Sequence, residues 1–386
     1  MQKNQGMTKK QLKIVADDKI PFLKGVLEPF ADVVYLSGNK ITAADVADAD
    51  AIFTRTRTIC NEALLHKSRV RLIVTATIGY DHIDTNYCEA HGIRWVNAPG
   101  CNSFSVQQYI TAVLLAAAKE NNRNLADMTL GIVGVGNVGS KVAKAAAALG
   151  MRVLLNDPPR AEKEGDKMFT PLDELLEQSD IVTCHTPLTK KGDYPTYHLS
   201  SSDFFDRMKN GAIYINSARG AVTDSEALKR AAKKLSAYIL DVWEGEPSID
   251  LELLQNALIA TPHIAGYSSD GKANGTVVCV REFCRFFELD VLPNWYPIVP
   301  APPMPTLFSV DCYGKTEQQV FYEAVTHTYP IWEDSRRLKQ IPAEFEKQRG
   351  NYRVRREFGS FTIQLKNPTE KIVQGLEGLG FKVQII

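Results

Sequence analysis

The chain lacks several things that would define other classes of protein. No apolar run approaches the ~20 residues that a membrane-spanning helix needs, which leaves no candidate for one. There is no charge excess: Lys+Arg 45 and Asp+Glu 45 cancel to a formal net charge of zero. The global field that draws proteins to nucleic acid or to an anionic membrane is therefore missing, and a small-molecule partner is favoured. The seven cysteines (Cys60, Cys88, Cys101, Cys184, Cys279, Cys284 and Cys312) are odd in number, scattered and never spaced Cys-x-x-Cys. That pattern argues against a disulfide framework or a cysteine-built zinc site and fits reduced thiols in a cytoplasmic protein. No histidine pair has metal-ligand spacing on one helix, so no metal is expected, and no Gly-x-Ser-x-Gly elbow occurs. The polar start, Met1 to Lys10, has no apolar core of the kind a secretory signal requires. Residues 1–10 are expected to be disordered.

What the chain does have is alternation. At 386 residues it is long enough for two or three domains. Short apolar runs at Leu12 to Ala16, Val33 to Leu36, Ala51 to Thr54, Leu72 to Thr75 and Arg94 to Asn97 read as strands, with helical stretches such as Ala43 to Ala49 between them. Uninterrupted apolar strands are what a parallel sheet covered on both faces demands. A strong helix follows from Ser105 to Lys119, with an apolar face that suits a bridge between two lobes. A second α/β unit starts at Thr129 and runs through Val153 to Asn156, Ile181 to Cys184, Ala212 to Ile215, Tyr238 to Asp241 and Leu258 to Ala260. A helix from about Asp270 to Leu289 would return to the first lobe. The segment Pro293 to Pro305 is proline-rich and stiff. Beyond it, a helix over Thr316 to Thr328, strands over Phe358 to Leu365 and Phe381 to Ile386, and a helix over Pro368 to Gly378 suggest a small α+β appendage.

Two features carry chemistry. In Thr129-Leu-Gly-Ile-Val-Gly134-Val-Gly136-Asn-Val-Gly139, a Gly-x-Gly-x-x-Gly loop joins a strand to a helix. Gly134 permits the tight turn, Gly136 lets the backbone approach a pyrophosphate, and Gly139 allows close packing of helix on strand. The helix N-terminus adds amide donors for an anion. Asp157 at the end of the next strand would accept the ribose hydroxyls and repel a 2′-phosphate, favouring NAD over NADP. The second feature is a cation, a carboxylate and an imidazole: Arg219, Glu246 and His263, each just past an apolar run. Oxidation of a secondary alcohol needs a base for the hydroxyl proton while hydride leaves for a nicotinamide. His263 suits the base, Glu246 the partner that fixes its tautomer, and Arg219 a substrate carboxylate or carbonyl. His82 reads as a turn and packing residue, whereas His185 could equally serve structure or lie near the nicotinamide.

These residues resemble the D-isomer-specific 2-hydroxyacid dehydrogenases over roughly residues 12–290. Met208 to Asp224, with Asn216-Ser-Ala-Arg-Gly220 at its centre, is similar to that family's signature around its catalytic arginine. A finer likeness to one branch of the family lies in Ala98 to Asn102, Asn156 to Arg160, Leu240 to Pro247, Thr261 to Tyr267 and the tail segment Phe345 to Phe358. The resemblance implies two doubly wound parallel-sheet lobes, a flavodoxin-like substrate lobe (residues 11–103 and 267–291) and a Rossmann NAD lobe (104–266). A linker (292–306) and a C-terminal dimerisation domain (307–386) would follow, giving a homodimer. It further implies an NAD cofactor and a small phosphorylated 2-hydroxy acid as substrate. Asn137, Val138, Asp157, Thr186, Ser217, Ala218, Arg219, Asp241 and Gly266 would line the cofactor site with the loop glycines, and Thr56, Thr77 and Tyr267 would contact substrate.

The departures from the family pattern are Thr56, where serine is expected, and Ile78-Gly79-Tyr80, where smaller residues are usual; both bear on substrate fit. For the substrate phosphate the candidates are Arg55 and Arg57, or the basic run Lys347, Arg349, Arg353, Arg355 and Arg356. The rival readings are a relative acting on another 2-hydroxy acid such as 3-phosphoglycerate, and a non-catalytic NAD-sensing protein on the same fold. The tail and the Asp157-Pro-Pro-Arg160 segment count against the first; turnover separates the second.

Overall fold

A computed structural model of the chain describes residues 12–386; the expectation for residues 1–10 lies outside the described residues. The described backbone divides into two compact units, residues 12–102 with 270–299 and residues 103–269 with 300–386.

In the first unit, β1 (Leu12–Asp17), β2 (Ala31–Leu36), β3 (Ala51–Thr54), β4 (Leu72–Thr75) and β5 (Arg94–Val96) form one sheet in the order β2-β1-β3-β4-β5. All pairings are parallel, with Ile14 opposite Ala51 and Ala51 opposite Leu72. This is the flavodoxin-like order. The central strands β3 and β4 are buried at every position, which is why they read as unbroken apolar runs. The helix Ser269–Phe286 supplies Cys279, Val280 and Phe283 to the same core as Ile14, Phe53 and Val74, with the Phe53 and Phe283 rings 5.5 Å apart.

In the second unit, β6 (Thr129–Val133), β7 (Arg152–Asn156), β8 (Ile181–Cys184), β9 (Ile213–Asn216), β10 (Ala237–Leu240) and β11 (Ile259–Ala260) form a parallel sheet in the order β11-β10-β9-β8-β6-β7. The chain leaves β6 to one side for β7 and then crosses to β8 on the other. The loop after β6 therefore sits at the switch point where open α/β sheets bind ligands. The helix Ser103–Glu120 is buried from Ser105 through Ala118. A helix apolar on all sides needs cover all round, and the C-terminal residues supply part of it. Val320, Phe321 and Ala324 join Tyr109, Val113 and Leu130 in one continuous core.

Those C-terminal residues carry their own three-stranded sheet, β12 (Leu307–Asp311), β13 (Thr362–Lys366) and β14 (Lys382–Ile385), in the order β12-β13-β14. Helices Glu317–Thr328, Ile331–Gln340 and Phe345–Gly350 connect β12 to β13, and Glu370–Leu379 connects β13 to β14. The strands run parallel with helices between them, so the local connectivity is that of an α/β layer. Phe358, expected to open a strand, instead lies in a single 3-10 turn and stacks on Phe381 with ring centroids 4.3 Å apart. Among the described residues no helix is long and apolar enough to cross a membrane, and no cluster of His, Cys, Asp and Glu could hold a metal ion. All seven cysteines are free.

Candidate active site

The nucleotide loop has a physical reason for each glycine. Gly134 adopts φ +89°, a conformation side chains disfavour, and a Cβ there would lie 2.8 Å from the His185 carbonyl carbon. A Cβ on Gly139 would lie 2.1 Å from the Gly134 carbonyl oxygen, so only glycine lets the helix Gly139–Ala148 start so close to the strand. Gly136 is different: nothing lies within 4 Å of its Cβ position. Packing within the fold therefore places no demand for glycine at this position. Asn137 is exposed and Val138 half-buried at the helix N-terminus. Asp157 braces the loop, its Oδ2 accepting the Val135 amide at 2.8 Å and its Oδ1 the Arg160 amide at 3.2 Å. The Arg160 guanidinium is engaged by Glu164 through two bonds of 2.8 and 2.6 Å, leaving the acidic Asp157 to set the charge at this edge.

NAD fits what surrounds this loop. Thr186 and Ser217, just past β8 and β9, have buried hydroxyl oxygens with no hydrogen-bond partner. Two orphaned hydroxyls beside a glycine cradle are expected of a polar ligand site and are costly in a bare βα turn. Burial drives the His185 imidazole down to about 3, so it is neutral, and its Nε2 lies 3.1 Å from Thr183 Oγ1. His82 is likewise pushed down to about 4 by burial.

Arg219, Glu246 and His263 stand on three loops of this same unit. His263 Nδ1 lies 2.8 Å from Glu246 Oε2. Burial works to raise the Glu246 carboxyl, but the bond and charge of His263, the Trp243 amide on Oε1 at 2.9 Å and the charge of Arg349 outweigh it and hold it below the usual carboxylate range. His263 takes a left-handed backbone, φ 56°, which is uncommon for a residue with a side chain. Asp241 holds it there. Its carbonyl accepts the His263 amide at 2.7 Å, while its carboxylate accepts Thr261 Oγ1, the Ile264 amide and the Ala265 amide at 2.7, 2.8 and 2.9 Å. Burial raises the Asp241 carboxyl, and the charge of His263 is what chiefly opposes it. Asp241, expected to line the cofactor site, thus has a structural duty that sequence reasoning missed.

Arg219 follows β9 with its Nη1 on the Ala218 carbonyl at 2.9 Å. Buried Asn216 shapes that turn, accepting the Ala218 amide at 2.9 Å and donating to the Arg219 carbonyl and to Thr223 at 2.9 and 2.8 Å. The next residue, Gly220, packs on the Trp243 backbone so tightly that a Cβ would lie 2.0 Å from its carbonyl oxygen. The Arg219 loop and the Glu246 loop are therefore in backbone contact.

The sequence Trp243-Glu-Gly-Glu-Pro247 offers two carboxylates, and the structure sorts them. Glu244 turns the other way, to His198 Nε2 at 2.7 Å and to the Ser225 hydroxyl and amide at 2.6 and 3.0 Å. Gly266 and Tyr267 continue the His263 loop, and Tyr267 lies under the Arg349 guanidinium, 5.5 Å from ring centroid to Cζ. Thr56 and Thr77 belong to the first unit. Thr56 is exposed past β3, while Thr77 donates to the Gly79 carbonyl at 2.8 Å and lies 2.7 Å from Thr75 Oγ1.

The family model described as "D-isomer specific 2-hydroxyacid dehydrogenase, NAD binding domain" matches residues 105–265, the span that carries the loop and the trio. Solved relatives share the architecture. D-lactate dehydrogenase from Aquifex aeolicus, complexed with NAD and lactic acid, is 29% identical with a TM-score of 0.61, over 75% of this chain and all of that one. An NAD+-bound 3-phosphoglycerate dehydrogenase of Entamoeba histolytica is 26% identical with a TM-score of 0.62, over 74% of this chain and 98% of that one. The fold and the NAD-binding unit are those of the D-isomer-specific 2-hydroxyacid dehydrogenases. Within that class, the erythronate-4-phosphate dehydrogenase of Bacteroides thetaiotaomicron is 49% identical over 355 residues, 91% of this chain and 99% of its own. That of Porphyromonas gingivalis is 42% identical over 370 residues, 95% and 99%. The chain belongs to the erythronate-4-phosphate dehydrogenase family. Residues 302–380 match a further family model, described as a domain of unknown function (DUF3410).

Proposed function

We propose that the chain oxidises 4-phospho-D-erythronate to 2-oxo-3-hydroxy-4-phosphobutanoate in vitamin B6 biosynthesis, with NAD as the hydride acceptor. The observation that carries the reading is the 2.8 Å His263–Glu246 pair in the same unit as a glycine cradle flanked by orphaned hydroxyls. With Glu246 on Nδ1, His263 presents Nε2 to the substrate and takes the C2 hydroxyl proton. Glu246, held ionised, stabilises the imidazolium that forms. Arg219 binds the substrate carboxylate and polarises the developing carbonyl oxygen. NAD supplies the nicotinamide that accepts the C2 hydride. Gly134, Gly136, Asn137, Val138 and Gly139 hold its pyrophosphate, Asp157 its ribose, and Thr186, Ser217, Ala218, Arg219, Asp241 and Gly266 line the rest of its site. Thr56, Thr77 and Tyr267 contact the substrate.

The protein acts in the cytoplasm as a homodimer built through its C-terminal residues, where exposed Leu307, Tyr313, Ile385 and Ile386 support a covered surface. The experiment is kinetic. His263→Ala is expected to lower kcat by about 10²–10⁴-fold, the usual worth of a general base, while NAD still binds. Substantial residual turnover, or faster NAD reduction with 3-phosphoglycerate than with 4-phosphoerythronate, refutes the reading.

A further inference from the structure

Five cations in the C-terminal residues cluster by sequence, and the structure separates them. Lys347 pairs with Glu344 at 2.7 Å. Arg353 is held by Glu333 and Asp334 at 2.7 and 3.3 Å. Arg355 is 2% exposed, donates to the Ala265 carbonyl at 2.5 Å and lies over the Tyr329 ring, and its Nε and Nη1 are also buried without a hydrogen-bond partner. Arg356 donates to the Pro300 carbonyl at 3.1 Å. Arg349 and Arg355 both face the loop that carries His263, and Arg349 is the one against Tyr267. Its guanidinium covers the Tyr267 ring, and its charge acts on the Glu246 carboxyl that holds His263. Its ion pair to Glu346 is a long 3.5 Å, it also hydrogen-bonds the Tyr267 side chain, and its Nε is buried with no hydrogen-bond partner. A buried guanidinium N–H left without an acceptor is costly unless an anion arrives to take it.

The substrate proposed above is such an anion. Its phosphate hangs two carbons beyond the reacting C2, and Glu246 and Glu346 would repel a dianion in that neighbourhood. We infer that Arg349 binds the phosphate of the substrate beside Tyr267, so that the C-terminal layer forms part of the substrate site. Guanidinium forks suit phosphate oxygens, and both N–H faces of the group could be satisfied there. The inference rests on the proposed function.

The test compares kcat/KM for 4-phosphoerythronate with that for unphosphorylated erythronate at saturating NAD. In Arg349→Met the ratio should fall by roughly 10- to 100-fold, the range of one charge-assisted hydrogen bond, with the loss in KM rather than kcat. Inhibition by inorganic phosphate should weaken in parallel. Arg349→Lys should recover part of the ratio, and it replaces the Met variant if that melts early. Lys347→Met, the control, should leave the ratio unchanged. An unchanged ratio and unchanged phosphate inhibition, or an equal fall in kcat on both substrates, overturns the inference. Failure of the unaltered protein to reduce NAD with 4-phosphoerythronate overturns the proposed function first, so the two failures are told apart.

Discussion

Gly220→Ala tests whether the Arg219 and Glu246 loops form one rigid unit. The new Cβ would lie 2.0 Å from the Trp243 carbonyl oxygen, 2.1 Å from its carbon and 2.6 Å from the Glu244 nitrogen. All three are backbone atoms, so no side-chain rotation relieves the clash. Carbon–oxygen contacts close to about 3.3 Å at best, so the loops must part by more than an ångström. Trp243 resists: it is 5% exposed and its indole Nε1 donates to the Thr261 carbonyl at 3.0 Å. Its amide also holds Glu246 Oε1. The strain therefore passes to Arg219, or to Glu246 and through it to His263. Misplacing reacting groups by ~1 Å can cost ~10²-fold, and overpacking costs about 1–3 kcal/mol. The expectation is a fall in kcat/KM of about that first size, read from NADH absorbance. An unfolding midpoint lowered by the equivalent of about 1–3 kcal/mol should accompany it in urea titrations. Wild-type kinetics and stability in this variant would refute the argument that backbone contact couples the two loops.

Two glycines of the nucleotide loop should respond oppositely. Gly136→Ala, with open space around its Cβ, should melt like the unaltered protein yet bind NAD more weakly; Gly139→Ala, which meets the Gly134 carbonyl at 2.1 Å, should lose about 1–3 kcal/mol of stability. Thermal melts with NAD titrations check both, and a destabilised Gly136→Ala or a neutral Gly139→Ala contradicts the assignment. Glu246→Gln should be pH-dependent in its cost. The Glu246 carboxyl is held below its ordinary value in the fold, so its contribution is present above the unfolded value and is lost as pH falls through the folded one. Urea midpoints should therefore differ more between variant and parent at neutral pH than near about pH 4, close to the ordinary glutamate value; an equal difference at both counts against an ionised, stabilising carboxylate.

What the sequence made legible was what physics writes locally. β3, β4 and β8 fall where their unbroken apolar runs predict, because strands buried on both faces tolerate little else. The glycine loop and the Glu246–His263 pair were readable because strand ends in a parallel sheet gather at one edge. Less legible were the residues that work through others. Asn216 and Asp241 look like ordinary strand-end polar residues, and only their bonds show them shaping the Arg219 and His263 turns. Glu244 and Glu246 are two residues apart and chemically alike, and nothing local says which one turns to His263.

The C-terminal residues were least legible, because their partners lie some 200 residues upstream. β12 follows a run of prolines and exposes most of its positions, so its pattern does not alternate cleanly. The helix Ser103–Glu120 did hold a signal: a run ending Val-Leu-Leu-Ala-Ala-Ala is apolar on every face, and one sheet cannot cover every face. Gly375 and Gly378 hold the complementary one. A Cβ on Gly375 would lie 3.2 Å from the Ala148 carbonyl oxygen, and one on Gly378 2.8 Å from the Ala148 Cβ, so these helix glycines let the C-terminal layer lie close on the helix Gly139–Ala148. That seating joins the layer to the helix Gly139–Ala148, while Phe345, packed in a second core, anchors the helix that carries Arg349 over Tyr267. A segment that shares the core of the nucleotide-binding residues cannot be exchanged as a mere appendage.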